Sequence, residues 1–432
     1  MTTLAITDGR VLGPDLTVER ADVLVDRETG EIREVGPDLA GDAEATLDAS
    51  DSLVTPGFVN GHCHVSMTLL RGYADDKRLD AWLREDIWPV EAALTPEAVE
   101  AGAELGILEM IAGGTTAFAD MYFEMDRVAA AVEKSGVRAL LGHGVISAGK
   151  DLEAAREDAE EGLAIARDLD GAADGRVRAA FMPHSLTTVD PELYEEFVPR
   201  AREAGLPIHI HANETEDEVT PIVEDHGVRP LEYARELGVL EAEDFLAHGV
   251  HLDEREIELL AETGASVVHC PASNMKLASG MAPVQRLLDA GVTVGLGTDG
   301  AASNNDLSML DEMRDAAMVG KLATGDAAAV PAEAVVEMAT RGSAEALGLP
   351  GGRIEPGAPA DLAVIDLERP HLTPAHDLVS HLAYAAAAAD VRHTVCDGRV
   401  LMRDREVVTL DEAAVRERAA AEAAALIDRA DV

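Results

Sequence analysis

The chain predicts an α/β fold: a TIM-type (β/α)8 barrel with a second, small β domain formed by both chain ends. Three observations carry this expectation. From residue 53 to about 350, apolar β-rich runs alternate with helical stretches rich in Ala, Glu and Leu, the rhythm of repeated βα units. Eight such runs can be marked, and polar or ionisable residues gather at their carboxyl ends. The string Asp-Gly-Arg-Val-Leu occurs at Asp8–Leu12 and again at Asp397–Leu401. Asp-Gly is a hairpin signal, so both copies are expected to turn between strands, and the two ends to meet in one sheet. The expected domains are therefore 1–52 and 351–432 for the small β domain and 53–350 for the barrel, with Asp411–Ala430 as a packed terminal helix that is acidic on its outer face.

The first run, Leu53–His64, ends in Gly61-His62-Cys63-His64. Residues two apart on a strand leave the same face, so His62 and His64 can grip one cation, while Cys63 points away as a packed thiol. Thr115–Tyr122 carries Asp120 to its end, Arg138–Ile146 carries His143, and Val177–Ser185 carries His184. The fifth run, Pro207–Glu214, places His211 at the strand end and Glu214 three residues later. That pairs an imidazole to hold an ion with an acid to move protons between water and substrate, as a metal-dependent hydrolase requires. His209 shares the face of His211 but lies deeper and reads as an interior group. Phe245–Leu252 supplies His248, expected to orient the attacking water, and Ala265–Ser273 supplies His269. Val292–Gly300 ends in Thr298-Asp299-Gly300, a hard anionic oxygen beside a flexible residue.

His62, His64, His211 and Asp299 are thus the expected metal ligands. Barrel hydrolases with two bridged metals commonly use a carbamylated lysine from the fourth strand, but no lysine lies between Lys150 and Lys276. One divalent metal is expected, with zinc preferred for a mixed imidazole and carboxylate set and iron as the competitor.

Lys+Arg number 35 against Asp+Glu 82, a net charge of −47 spread through the chain. A basic patch for nucleic acid has little to be built from, whereas a solvated acidic surface suits concentrated salt, where counterions screen self-repulsion. The three cysteines are odd in number and far apart, which argues against a disulfide framework and for a reducing cytoplasm. Met1–Gly13 lacks a basic start followed by an apolar stretch, and no run approaches bilayer-spanning length, so the expectation is a cytoplasmic protein with no membrane partner.

Five strings carry a resemblance: Pro56-Gly57-Phe58-Val59-Asn60-Gly61-His62-Cys63-His64, Met182-Pro183-His184-Ser185, His211-Ala212-Asn213-Glu214, His269-Cys270-Pro271-Ala272-Ser273-Asn274-Met275-Lys276-Leu277, and Gly297-Thr298-Asp299-Gly300-Ala301-Ala302-Ser303-Asn304-Asn305. Together they resemble the amidohydrolase superfamily, and within it the 5-methylthioadenosine/S-adenosylhomocysteine deaminases and their triazine-hydrolase relatives. The resemblance implies that His62, His64, His211 and Asp299 hold the metal, that Glu214 shuttles protons, and that His248 helps position water. It further implies that Glu91 and His184 contact a nucleoside at its ribose hydroxyls and that Trp82 walls the same pocket. His143 stands at a strand end where the family often has an arginine against the substrate, which marks it as a substrate-binding candidate. The expected reaction is hydrolytic deamination of an adenine nucleoside to the inosine analogue, by a homo-oligomer acting on a small molecule. Another amino- or chloro-heterocycle hydrolase, of guanine deaminase or triazine hydrolase type, is the alternative in the same fold, and a non-catalytic barrel scaffold the remote one.

Overall fold

In the computed structural model, residues 2–431 are described; Met1 and Val432 lie outside the described residues. The runs read as strands form two groups of parallel strands. One contains Phe58–Cys63, Thr115–Tyr122 and Arg138–Val145, with the short Val177–Ala179 and Met182–Pro183 at its edge. The other runs His209–Ala212, Phe245–His248, Ser266–His269, Val294–Leu296. Bridges from Phe181 to Ile208 and from Ser185 to His211 join the groups on one side. On the other, the Asp299 N–H donates to the His62 carbonyl at 3.0 Å. The Thr115–Tyr122 and Arg138–Val145 strands are buried at every residue, the mark of parallel strands covered on both faces. Helices cover them with amphipathic patterns: Leu152–Leu169 buries Ala155, Ala159, Leu163 and Ala166, while Glu153, Glu157, Glu160 and Glu161 face solvent.

Strands from both chain ends share one nine-stranded sheet, in the order Glu406–Val407, Arg399–Arg403, Val391–Cys396, Leu362–Asp366, Ser52–Pro56, Thr3–Leu12, Val18–Asp26, Glu31–Gly36, with Ala45–Asp48 beside Thr3–Leu12. The run Leu53–His64, expected as one strand, is two. Ser52–Pro56 pairs antiparallel with Leu362–Asp366 in this sheet, and only Phe58–Cys63 joins the parallel array. The chain changes sheets at Pro56-Gly57, so the expected boundary after residue 52 falls inside a strand.

The repeated Asp-Gly strings also differ from expectation. Asp397-Gly398 is a tight hairpin turn, both residues having left-handed backbone with φ of 53° and 68°. Asp8-Gly9 lies inside the Thr3–Leu12 strand, where the pairing register shifts between Ile6 and Gly9, and acts as a bulge. The same dipeptide bends a continuous strand here because Val11 and Leu12 carry on the pairing with Val18–Asp26.

An ion triad around the buried Arg138 ties the terminal sheet to the parallel strands. Arg138, 8% exposed at its side chain, donates from Nε to Asp361 at 2.7 Å and from Nη2 to Asp397 at 2.6 Å. The terminal helix Glu412–Ala430 buries Val415, Ala419 and Leu426, and Arg418 contacts Glu100 on helix Pro96–Ala112 at 3.3 Å.

Two outcomes follow from this arrangement. Arg138→Gln leaves the buried Asp361 and the half-buried Asp397 without their cation, and chemical denaturation should show a loss of about 3 kcal/mol. Desalting the protein into dilute buffer should abolish its far-ultraviolet circular dichroism as the −47 charge loses its counterions; a spectrum unchanged without salt would contradict the reading of the acidic surface.

Candidate metal centre and active site

The parallel strands deliver their carboxyl-end side chains into one cavity of about 860 Å³, whose wall includes His64, His211, Glu214, His248 and Asp299. His62 lies just beneath, fully buried, with its ring 4.7 Å from that of His211 and 4.9 Å from that of His64. The ligand atoms of His62, His64 and His211 lie within 4.8 Å of one another, and so do those of His62, His248 and Asp299.

The hydrogen bonds decide which ring nitrogens are free. His64 Nδ1 lies 2.5 Å from the Met121 carbonyl and His211 Nδ1 lies 2.8 Å from the His184 carbonyl. A carbonyl only accepts, so both Nδ1 atoms carry a proton and both Nε2 atoms face the centre, each offering a lone pair when its ring is neutral. His248 Nδ1 donates to Asn274 Oδ1 at 2.9 Å. His209 Nδ1 donates to the Phe245 carbonyl at 3.0 Å, so its Nε2 accepts from His62 Nδ1 at 2.9 Å. All four imidazoles of the cluster therefore turn an Nε2 lone pair inward. The Nε2 atoms of His62 and His211 stand 3.1 Å apart, and two facing lone pairs at that distance repel unless a cation or proton lies between them. The donor set, neutral imidazoles with one carboxylate, fits a divalent metal.

Asp299 closes the cluster with Oδ1 3.2 Å from His64 Nε2 and 3.6 Å from His62 Nε2. Its other oxygen accepts from Ser273 Oγ at 2.6 Å and Ser303 Oγ at 2.7 Å. Burial would raise the Asp299 pKa, but its hydrogen bonds to His62 and His64 hold it well below the usual range. Burial pulls His62 down to about 4 and His211 far below its ordinary value. Burial also acts downward on His64, yet the hydrogen bond to Asp299 and that carboxylate's charge outweigh it and lift His64 to about 9. A proton and a metal ion compete for that same Nε2 lone pair.

Glu214 sits at the cavity floor with Oε2 3.7 Å from His248 Nε2 and Oε1 accepting from Ser279 Oγ at 3.3 Å. Burial, then the charge of Asp299, pushes its carboxyl up to about 8. Two carboxyls lining one cavity are thus driven in opposite directions, one toward the acid and one toward the base. The backbone that aims these groups is left-handed at Asn213, His248 and Asp299, with φ of 54°, 75° and 59°, so each turns sharply where its strand ends. A Cβ on Gly297 would meet the His62 backbone nitrogen at 2.8 Å, which is why only glycine lets the Asp299 loop close against the first parallel strand.

Other expected residues divide. Trp82 walls the cavity and anchors Nε1 on the Ala74 carbonyl at 3.1 Å. Glu91 lines it too, accepts from Tyr122 Oη at 2.7 Å, and is raised to about 7 by burial. His184 lines it, its Nδ1 2.9 Å from Thr188 Oγ1, and burial lowers it to about 3. His143 does not belong with them: its Nε2 is 3.1 Å from Asp158, and the wall at this strand end is formed by Gly144 and Ile146 instead. Asp158 holds the ring away from the cavity, so the expected place of His143 in the substrate wall is not what this structure shows. Asp120 is likewise outside the wall and accepts the Val65 N–H at 2.7 Å, fixing the turn after His64.

His209, read as an interior group, is the residue that fixes the tautomer of His62. Its position two before His211 was visible; its partner on another strand was not. Asn274, Ser273 and Ser303 fall within the family-like strings without any sign of the atoms they support, and Tyr122, Ser279 and Trp88, the last lining the cavity beside Glu91, give no signal in the sequence. Replacing His209 by leucine should weaken metal binding about 10- to 100-fold, measured by chelator competition, with the fold retained.

Residues 53–401 match the model of the amidohydrolase family. The chain is 67% identical over 431 residues to a protein of Natronomonas pharaonis named 5-methylthioadenosine/S-adenosylhomocysteine deaminase, covering all of both chains. It is 47% identical to a 5'-deoxyadenosine deaminase of Methanothermobacter thermautotrophicus, over 96% of this chain and 98% of that one. Among solved structures, an adenosine deaminase from Xanthomonas campestris with bound zinc superposes with a TM-score of 0.91 at 38% identity, covering 99% of this chain and 98% of that one. Such neighbours imply a TIM-type barrel for the parallel strands. With a family match over most of its length and full-length relatives at high identity, the chain belongs to the amidohydrolase family.

Proposed function

We propose that the protein hydrolytically deaminates an adenine nucleoside, with one divalent metal, zinc by preference, held by His62, His64, His211 and Asp299. The observation that carries this reading is the opposed pair of carboxyls on one cavity floor: Glu214, raised to about 8, and Asp299, held low. A bound divalent cation would supply Lewis-acid activation of water at neutral pH. Glu214, protonated near neutrality, gives its proton to ring nitrogen 1 as water adds to carbon 6. Asp299, with His248 beside it, takes the proton that water releases and passes it to the exocyclic amino group. Ammonia leaves as the remaining proton of the added hydroxyl returns to Glu214 and the carbon 6 carbonyl forms, so the inosine analogue remains and one water is consumed for one ammonia released. Glu91 and His184 suit the ribose hydroxyls, one as a carboxyl acceptor and one as a neutral imidazole. The names of the full-length relatives support the same substrate class.

The hydrogen bonds joining the two parallel groups support their closure into one (β/α)8 barrel, and the shared nine-stranded sheet supports a second domain built from both chain ends. Among the described residues no helix is long and apolar enough to cross a membrane.

In concentrated salt, ammonia release should be seen from 5-methylthioadenosine, S-adenosylhomocysteine, 5-deoxyadenosine or adenosine. Glu214→Gln should lose about a hundredfold or more in kcat while metal content stays unchanged. Near-normal turnover by that variant, or activity confined to a chlorotriazine, would contradict the reading.

A further inference from the structure

Tyr122, 3% exposed, takes no part in the proton transfers, yet it joins a metal ligand to the cavity wall. It ends the strand Thr115–Tyr122, directly after Met121, whose carbonyl accepts from His64 Nδ1. Its ring centre lies 6.2 Å from that of His64. Its hydroxyl reaches across 31 positions of sequence to donate to Glu91 Oε1 at 2.7 Å. Glu91 is the last residue of the four-residue helix Trp88–Glu91 and lines the cavity, and among the described residues its second oxygen has no hydrogen-bond partner. Burial raises its carboxyl to about 7, and the bond from Tyr122 is what chiefly opposes that rise.

We propose that Tyr122 is the positioning residue that makes the site specific for ribose: it occupies one oxygen of Glu91 and so presents the other to a sugar hydroxyl. The proposal rests on the nucleoside reading above. A purine carries its sugar on the ring opposite the one that bears carbon 6, so a nucleoside with carbon 6 at the metal holds its sugar away from His64. Tyr122 covers such an interval, with its ring toward His64 and its hydroxyl on Glu91. A glutamate at the end of so short a helix has rotamer freedom to lose, and a carboxyl buried without a donor takes up a proton. A protonated carboxyl in several rotamers offers a sugar hydroxyl a donor as readily as an acceptor. The phenol removes both freedoms, from a strand that is itself buried at every residue. A carboxylate preset as acceptor gains a bond when a riboside binds, and a sugar without hydroxyls leaves it unpaired. Tyr122 touches no reacting atom in this scheme, so it acts on binding and not on the chemical step.

The probe pair is 5-methylthioadenosine and its 2′,3′-dideoxy analogue, which differ only in the sugar hydroxyls. In concentrated salt the protein should favour the riboside by about tenfold or more in kcat/KM. Tyr122→Phe keeps the ring and loses only the hydroxyl. It should raise KM for the riboside about tenfold, with kcat and metal content unchanged, and should leave the dideoxy analogue unaffected. Where that analogue turns over too slowly to follow, its inhibition constant against the riboside is read in place of kcat/KM. A loss of equal size on both probes marks a purely structural role and overturns the proposal. A loss confined to kcat, an unchanged preference in Tyr122→Phe, or equal efficiency of the unaltered protein on the two probes overturns it as well. Turnover of neither probe overturns it together with the reading beneath it.

Discussion

Everything at the centre depends on one constraint: each clustered imidazole has its Nδ1 proton tied to an acceptor, so that its Nε2 lone pair can only turn inward. Two of these acceptors, the carbonyls of Met121 and His184, belong to the backbone of neighbouring strands. A third, Phe245, acts through His209. The tautomers are therefore written into the strand register. A slip of one residue would reverse the face of every side chain on the strand, and the cluster would lose its geometry before it lost its residues. Secondary structure and chemistry are here the same arrangement seen at two scales.

The strand ends that carry this chemistry bend abruptly, and buried carboxylates hold the bends. Asn213, left-handed and just before Glu214, gives its amide to both oxygens of Glu256 at 3.1 Å; Glu256 also accepts from Arg229 Nε at 2.8 Å and from the Leu231 N–H at 3.1 Å. Glu218 accepts the Glu214 N–H at 2.9 Å, which fixes the acid from its backbone. Glu312 does similar work below the Asp299 loop, accepting from Asn304 Nδ2 at 2.5 Å and the Ala272 N–H at 3.3 Å. The φ of 54° at Asn213 and 59° at Asp299 costs on the order of 1–3 kcal/mol each for a non-glycine residue. Each bend is offset by hydrogen bonds to the side chain of a buried or half-buried acid.

The parts legible in the sequence are those set by periodicity. Alternation along a strand put His62 and His64 on one face and dismissed Cys63, whose thiol is indeed buried away from the cavity. Spacing after His211 located Glu214, and Thr298-Asp299-Gly300 marked the carboxylate. What periodicity cannot express is a partner on another strand. His209 could be placed on the correct face, but its bond to His62 depends on how the first and fifth runs lie across from each other. His143 failed for the same reason: its strand position was right, yet Asp158, fifteen residues later on a covering helix, pulls its ring out of the wall. The division of Leu53–His64 between two sheets was hidden too, since apolar residues on both sides of Pro56-Gly57 satisfy either sheet.

The −47 charge and the buried centre might be expected to conflict, because a strongly negative molecule should raise the pKa of every carboxyl it contains and gather protons at its histidines. Screening separates the two. At the salt concentrations such a surface suits, a charge beyond about 3 Å contributes little through solvent, so the exposed glutamates of helix Leu152–Leu169 do not reach the cavity. The influences that set the protonation states at the centre are local: Asp299, 3.2 Å from His64, lifts that imidazole, and burial with the charge of Asp299 raises Glu214. Burial shields these from salt as thoroughly as it removes them from water. The surface can therefore carry an extreme charge for solubility in brine while the centre keeps a separate, short-range electrostatics of its own.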